Sequence, residues 1–415
     1  MLKVKHNSNN VFAIIVFSYL FLLFMLPDYT KLISIAIIIV SVAYLFWKNP
    51  RILLTYQSIA WLIYIVLSMF SLLYSGTTLN NVLEFCASII IGLLFYFWDS
   101  RKDSQYPQIK ALFIMAIISF LGCLLQLTLP DVLKTFNMSH LTPEKYASFD
   151  MFYRGGYLAG FSFQTAVTGF YLSILVGIVF CSFLSGVKTQ GKIKKIANCV
   201  LLIFGYIFLF FTGKRSFILI TIVAALVIIG ICYKKHVTKI IGISTLMVLG
   251  LALLLFCTEF GNEILKKSLG DSWSTGRTRI YEAMLNNFMD NPILGKGIGT
   301  SLNIVEGFTN GHNIYLQILS ESGIIGFFIL IPIFVQDLRS SLKLLNYKVK
   351  HKKNVFIVSI CIFIELLFIG WGMSGNPLYD VYPLIVYMLV SGIVRNEIKN
   401  KATSSVDQTL LESGV

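Results

Sequence analysis

The chain has 415 residues, of which 56% are hydrophobic and only 13% charged. That is about half the charged share of a soluble globular chain, and no stretch between the apolar runs could bury a core of its own, which excludes a soluble multidomain protein. The net charge of +14 invites a nucleic-acid partner, but its distribution along the chain makes one unnecessary.

The apolar runs are about 17–24 residues long, each enough to cross a bilayer core of roughly 30 Å at about 1.5 Å per residue. Twelve spans are predicted, near 11–27, 31–47, 52–74, 81–98, 109–129, 162–185, 196–212, 216–233, 239–258, 313–335, 355–372 and 379–394. Lys3 and Lys5 precede the first run as in a signal peptide. No small-x-small cleavage site follows Leu26-Pro27 and more spans come after, so it is read as a retained helix. An even number of spans puts both termini on one side. With that side inside, 23 of the 34 Lys and Arg residues fall in inner segments, and every inner loop is basic. The positive-inside rule accounts for this charge without nucleic acid.

Two outer segments are long, 130–161 and 259–312. Residues 1–395 thus form one transmembrane domain, and a polar cytoplasmic tail, 396–415, is expected to be disordered. Long loops on a rigid scaffold carry function, so chemistry is expected on the outer face. No internal repeat is evident. The seven cysteines all lie in apolar runs without metal-ligand spacing and read as packing residues.

The outer basic residues run against the positive-inside trend, so each needs a reason. Lys214 and Arg215 lie in Thr212-Gly213-Lys214-Arg215-Ser216, a turn too short to leave headgroup depth. A paired cation there suits a lipid diphosphate, since Arg makes planar bidentate contacts to phosphate; snorkelling is the alternative. A helix capped by Ser274 or Thr275 is predicted to stop before Asn291-Pro292. Ile280, Tyr281, Met284, Leu285 and Phe288 share one face of it, and it is too short to span, so it lies at the interface. Arg277 falls inside the apolar stripe, where a cation is costly without an anionic partner, and is preferred as a ligand contact. Arg279 falls on the opposite, solvated face. The run Gly295-Lys296-Gly297-Ile298-Gly299 lacks the Lys-Ser/Thr ending of a phosphate loop and reads as a turn allowing close approach.

His312 stands at the outer start of the tenth span. Free backbone N–H groups and the helix dipole there lower its pKa and keep it neutral, able to accept a proton from a sugar hydroxyl. Two carboxylates sit within spans. Glu365 is read as structural, while Glu321 is left open between acceptor binding and structure. Gly323 and Gly326 would permit close helix packing.

Three stretches resemble the O-antigen ligase and polymerase family of bacterial membrane glycosyltransferases. They are Thr212–Ser216, the run from Ser274 to Gly299, and Gly311-His312-Asn313-Ile314-Tyr315-Leu316 through Glu321-Ser322-Gly323-Ile324-Ile325-Gly326. A fourth is Arg154-Gly155-Gly156 followed by Gly160-Phe161-Ser162-Phe163-Gln164, where the family often has an asparagine-containing version. The second half carries the match; the first resembles the family only as hydrophobic spans. The resemblance implies an all-α, GT-C-like polytopic enzyme of the bacterial inner membrane with its active site outside. It implies an undecaprenyl-diphosphate-linked oligosaccharide as donor and another as acceptor, an inverting transfer, and no metal or other cofactor. It also implies a chain-length regulator and a flippase as partners. Arg215 and Arg277 would hold the diphosphate, with Lys214, Arg154 and Arg279 beside them. His312 would orient or deprotonate the acceptor, supported by Glu321. Polymerase is the first reading, since Phe-, Ile- and Lys-rich usage fits an AT-rich, capsule-forming bacterium. Ligase-type transfer is the alternative, and a glycolipid flippase is the alternative of another class.

Overall fold

A computed structural model describes residues 7–48, 54–97, 105–185, 191–233, 277–301, 304–305 and 311–412, with only the backbone of 7–10, 45–48, 105–106 and 402–412. The helices in chain order are α1 Asn7–Met25, α2 Thr30–Lys48, α3 Tyr56–Phe70, α4 Leu79–Phe97, α5 Gln105–Thr128, α6 Pro130–His140 and α7 Pro143–Arg154. They continue with α8 Thr165–Leu184, α9 Lys192–Phe211, α10 Arg215–Cys232, α11 Arg277–Asp290, α12 Ile314–Lys350, α13 Phe356–Trp371 and α14 Val381–Glu412. Among the described residues, nine helices are long and apolar enough to cross a membrane, and two shorter apolar ones, Val11–Met25 and Phe356–Trp371, join them. These eleven coincide with eleven of the twelve predicted spans. The ninth, 239–258, lies outside the described residues, as do Ser274 and Thr275. The chain is an all-α, multi-pass membrane protein.

Helix α8 is apolar all round and sits at the centre, with 78% of its span buried against α5, α9, α10 and α13. A helix with no polar face must be enclosed by apolar neighbours or lipid. Helices α3, α4, α12, α13 and α14 enclose a second core around Trp61, Tyr64, Phe334, Phe368 and Tyr387. The outward faces of α2 and α3 leave Leu32, Ile39, Ile63 and Val66 exposed, as a lipid-facing perimeter requires.

The predicted alternation is visible in which connections meet. At one end, Thr142 Oγ1 donates to Asp28 at 3.1 Å, Tyr74 OH donates to the Leu294 carbonyl at 2.9 Å, and the Ile314 N–H donates to the Gly372 carbonyl at 2.9 Å. At the other, Thr55 bonds Tyr96 at 2.8 Å and Lys348 pairs with Glu397. All the described connections predicted to be outer gather at the first end.

One outer segment acquires structure and two expectations change. The 130–161 segment carries α6 and α7, each opened by a proline at its first position, where the missing N–H costs nothing. Helix α12 runs to Lys350 and is broken at Gly323, whose φ of 60° and ψ of −162° are non-helical. The tail, expected to be disordered, continues α14 to Glu412. Between Pro383 and Ser413 it contains no proline and a single glycine, Gly392, so nothing breaks the helix; polarity governs where a helix sits more than whether it forms.

Candidate functional site

The predicted outer end of the bundle gathers four polar side chains from four separate elements. The α9–α10 turn supplies Lys214. Thr212 closes α9 through its Oγ1, which donates to the Leu209 carbonyl at 2.7 Å, and Gly213 reverses the chain with a φ of +73°. A Cβ at Gly213 would stand 2.6 Å from the Tyr157 ring. The Tyr157 segment is pinned in turn. Gln126 accepts from the Ala159 and Gly160 N–H groups at 3.0 and 2.8 Å, and the Leu158 N–H donates to the Phe211 carbonyl at 2.9 Å. The turn therefore has no freedom to rise from the bundle. It half-buries Lys214 and leaves Arg215 exposed at the first position of α10.

Arg277 is the first residue of α11, half-buried and in line with the buried Ile280 and Met284, while Arg279 is exposed. The contrast between the two arginines follows the predicted stripe. The stripe is narrower than predicted, since Leu285 is 44% exposed. Helix α11 packs on α12, and Tyr281 OH donates to the His312 carbonyl at 3.3 Å.

His312 precedes α12. Asn313 is the N-cap, its side chain accepting from the Tyr315 and Leu316 N–H groups, which leaves His312 outside the helix with a φ of 54°. That left-handed conformation is uncommon outside glycine and costs a non-glycine residue about 1–2 kcal/mol. Burial pushes the imidazole pKa down to about 4, and the charges of Arg277 and Lys214 push the same way. The expectation of a neutral histidine therefore holds, with burial and two cations as the causes in place of the helix dipole.

Asp380, just before α14, completes the cluster. Burial raises its carboxyl to about 7, against the opposing pull of Lys214. Lys214 itself is lowered by burial and by Arg277, with Asp380 opposing. The span predicted from 379 takes in Asp380 and gives it no role. An acidic residue at the outer mouth of the last span was the available signal.

A glycine-rich wedge holds these elements in register. Gly295, Gly297 and Gly299 all have positive φ, and a Cβ at Gly297 would lie 2.1 Å from Ser75 Oγ. The wedge enters where α12 is broken. The Lys296 and Gly297 N–H groups donate to the Ser320 and Glu321 carbonyls at 2.8 and 2.9 Å, and the Ile324 N–H donates to the Pro292 carbonyl at 2.8 Å. Glu321 is wholly buried there. Its Oε1 accepts from the Ser301 N–H at 3.2 Å and from Gln317 Nε2 at 2.9 Å, and its Oε2 accepts from Tyr379 OH at 2.8 Å. Its hydrogen-bonding capacity is thus spent within the protein. Through Tyr379 it is tied to the chain beside Asp380. Gly323 serves the wedge, since a Cβ there would meet the Ile293 carbonyl oxygen at 2.3 Å; Gly326 faces Tyr64.

The structure thus brings Lys214, Arg277 and His312 together and adds Asp380. Arg215 lies one residue from the cluster with its guanidinium exposed. Arg154, at the end of α7, is exposed and pairs with Asp150 at 2.6 Å. Lys296 pairs with Asp290 at 2.7 Å. Among the described residues no three His, Cys, Asp or Glu side chains gather as a metal site.

Residues 199–331 match the family model described as O-antigen ligase. The matched segment contains Lys214, Arg215, Arg277, Arg279, His312 and Glu321, and it stops short of Asp380. No curated protein matches the chain.

Proposed function

We propose, from the premise that residues 199–331 carry the O-antigen ligase/polymerase family segment, that this chain transfers a glycan from undecaprenyl diphosphate at the outer face of a bacterial inner membrane. The observation that carries the reading is the half-buried cation pair Lys214 and Arg277 beside a histidine whose pKa is pushed down to about 4. Two cations sharing a partly desolvated site repel each other, and a diphosphate relieves that repulsion. Exposed Arg215 reaches the same ligand from the headgroup side; Arg279 and Arg154 stand at its margin.

In the transfer, an acceptor hydroxyl oxygen attacks the anomeric carbon as the carbon–oxygen bond to the diphosphate breaks. The electron pair leaves on the diphosphate, where Arg277, Lys214 and Arg215 stabilise it. The hydroxyl proton passes to His312 Nδ1 or Nε2, or to Asp380 in its ionised form. At a pKa of about 4 the imidazole is neutral but a weak base. The bound diphosphate offsets the two cations, raises the imidazole pKa, and makes it a stronger base when substrate is present. Attack opposite the leaving group gives inversion.

Polymerase action, with a second lipid-linked repeat unit as acceptor, is the first reading. Ligase action is the second, favoured by the description of the matching family. Purified protein in nanodiscs, given a synthetic lipid-linked repeat unit, is expected to lengthen the glycan and release undecaprenyl diphosphate. Transfer only to a separate acceptor such as a lipid A core selects the ligase. Absence of transfer to either, or full activity in Arg277→Ala and Lys214→Ala together, overturns the site.

A further inference from the structure

The opposite end of the bundle holds a second polar site that glycan transfer does not use. Asp337 on α12 is 7% exposed and Glu365 on α13 is 0% exposed. Asp337 Oδ2 accepts from Tyr387 OH at 2.8 Å and Ser391 Oγ at 3.0 Å, and Glu365 Oε1 accepts from Ser341 Oγ at 2.8 Å. Glu365 Oε2 is buried with no hydrogen-bond partner. Both carboxylates line a cavity of about 80 Å³ with Gln57, Tyr96, Ser340 and Arg395. That is several times the roughly 10–15 Å³ that one water needs.

A carboxylate inside a helical bundle is costly unless it is paired, and in membrane proteins such groups mark ion sites. Here the two acids are near enough for each charge to act on the other, and the hydroxyls with the Gln57 side chain, which also bonds Asp337, leave Glu365 Oε2 unsatisfied. The charge balance says what is missing. With both acids ionised, two carboxylates against the Arg395 guanidinium, which lies 4.8 Å over the Tyr96 ring, leave one negative charge, which either a proton on the buried Glu365 or one monovalent cation balances. The neighbouring Lys348–Glu397 pair neutralises itself. One further positive charge balances the cavity and two overshoot it. The candidate ligands are all oxygens, which suits a hard cation.

We propose that this cavity binds one sodium-sized monovalent cation through Glu365 Oε2, Asp337 and the hydroxyls of Ser340 and Ser391. The cation sits between α12, α13 and α14 and ties their ends together, at the end remote from His312.

Ligand that binds only the folded state raises the unfolding midpoint. The test compares the thermal midpoint of the full chain in nanodiscs in sodium, potassium and choline chloride at constant ionic strength. Sodium is expected to give a saturable rise of about 2–5 °C over choline. Radioactive sodium should bind wild type with one-to-one stoichiometry. Glu365→Gln and Asp337→Asn should each abolish both signals, while Ser359→Ala, on the same helix but outside the cavity, should keep them. Equal midpoints in sodium and choline, or a shift that survives both acid substitutions, overturns the proposal. So does absence of radioactive sodium binding to wild type, a result independent of whether any variant folds.

Discussion

His312 and Asp380 bend the stability of the fold with pH in opposite directions. The His312 pKa of about 4 lies below the ordinary 6.5, so between those values the unfolded chain holds a proton that the folded chain refuses. Stability therefore falls on acidification from about pH 6.5 to about 4. Asp380 works the other way, since a carboxyl raised to about 7 is destabilising as pH rises from its ordinary value through 7. Removing one of the cations should release part of the histidine shift. In Lys214→Met, the His312 titration followed by ¹⁵N shifts of labelled imidazole should move upward by a fraction of a unit to one unit. An unmoved titration would mean that the two side chains do not share a site. Arg277→Ala is expected to lower kcat/KM about 10²–10³-fold, the scale of one lost charge-stabilising donor, with partial recovery in Arg277→Lys. Arg154→Ala, which removes only the exposed partner of Asp150, should change kcat/KM less than about threefold.

At the scale of elements, the wedge at 295–301 and the break in α12 are one device. Gly323→Ala places a Cβ 2.3 Å from the Ile293 carbonyl and asks alanine to hold a φ of +60°. The expected cost is about 2 kcal/mol or more, read as a lower thermal midpoint, with activity falling further than the midpoint explains. Glu321→Gln should keep part of the stability, since its amide oxygen still accepts from Ser301 and Gln317 while its NH2 can only donate to the Tyr379 oxygen, and Glu321→Ala should lose both stability and turnover. The sequence carried much of this region openly. The 3.6-residue stripe placed Arg277 inward and Arg279 outward, and Thr212–Ser216 announced its own tight turn by having no length to spare. It could not tell which member of the Lys214–Arg215 pair turns inward. That is settled by Tyr157 packing on Gly213, a contact between residues far apart in sequence. Asp380 is harder to read for a similar reason: its place at the mouth of the last span is the one local signal, and its company of Lys214, Arg277 and His312 comes from three other elements.

For the whole molecule, the spacing of apolar runs and the basic loops predicted which connections share an end, and the packing reproduces that grouping throughout the described residues. Orientation in the membrane is the remaining test. Met373→Cys, exposed beside the cluster, should label with an impermeant thiol reagent in intact cells, in a background lacking the native cysteines. Lys352→Cys, in the connection after α12, should label only after the membrane is opened. The reverse pattern would place Lys214, Arg277 and His312 in the cytoplasm, out of reach of an exported lipid-linked glycan.

The positive φ at residue 312 has a bearing on how its imidazole is to be removed. Alanine inherits the awkward backbone and loses the ring, so a scan reports two changes at once. Glycine adopts that geometry without steric penalty, so a His312→Gly chain should melt higher than His312→Ala while both lose turnover. Exogenous imidazole, fitted into the vacated space, would then restore turnover to the glycine variant first.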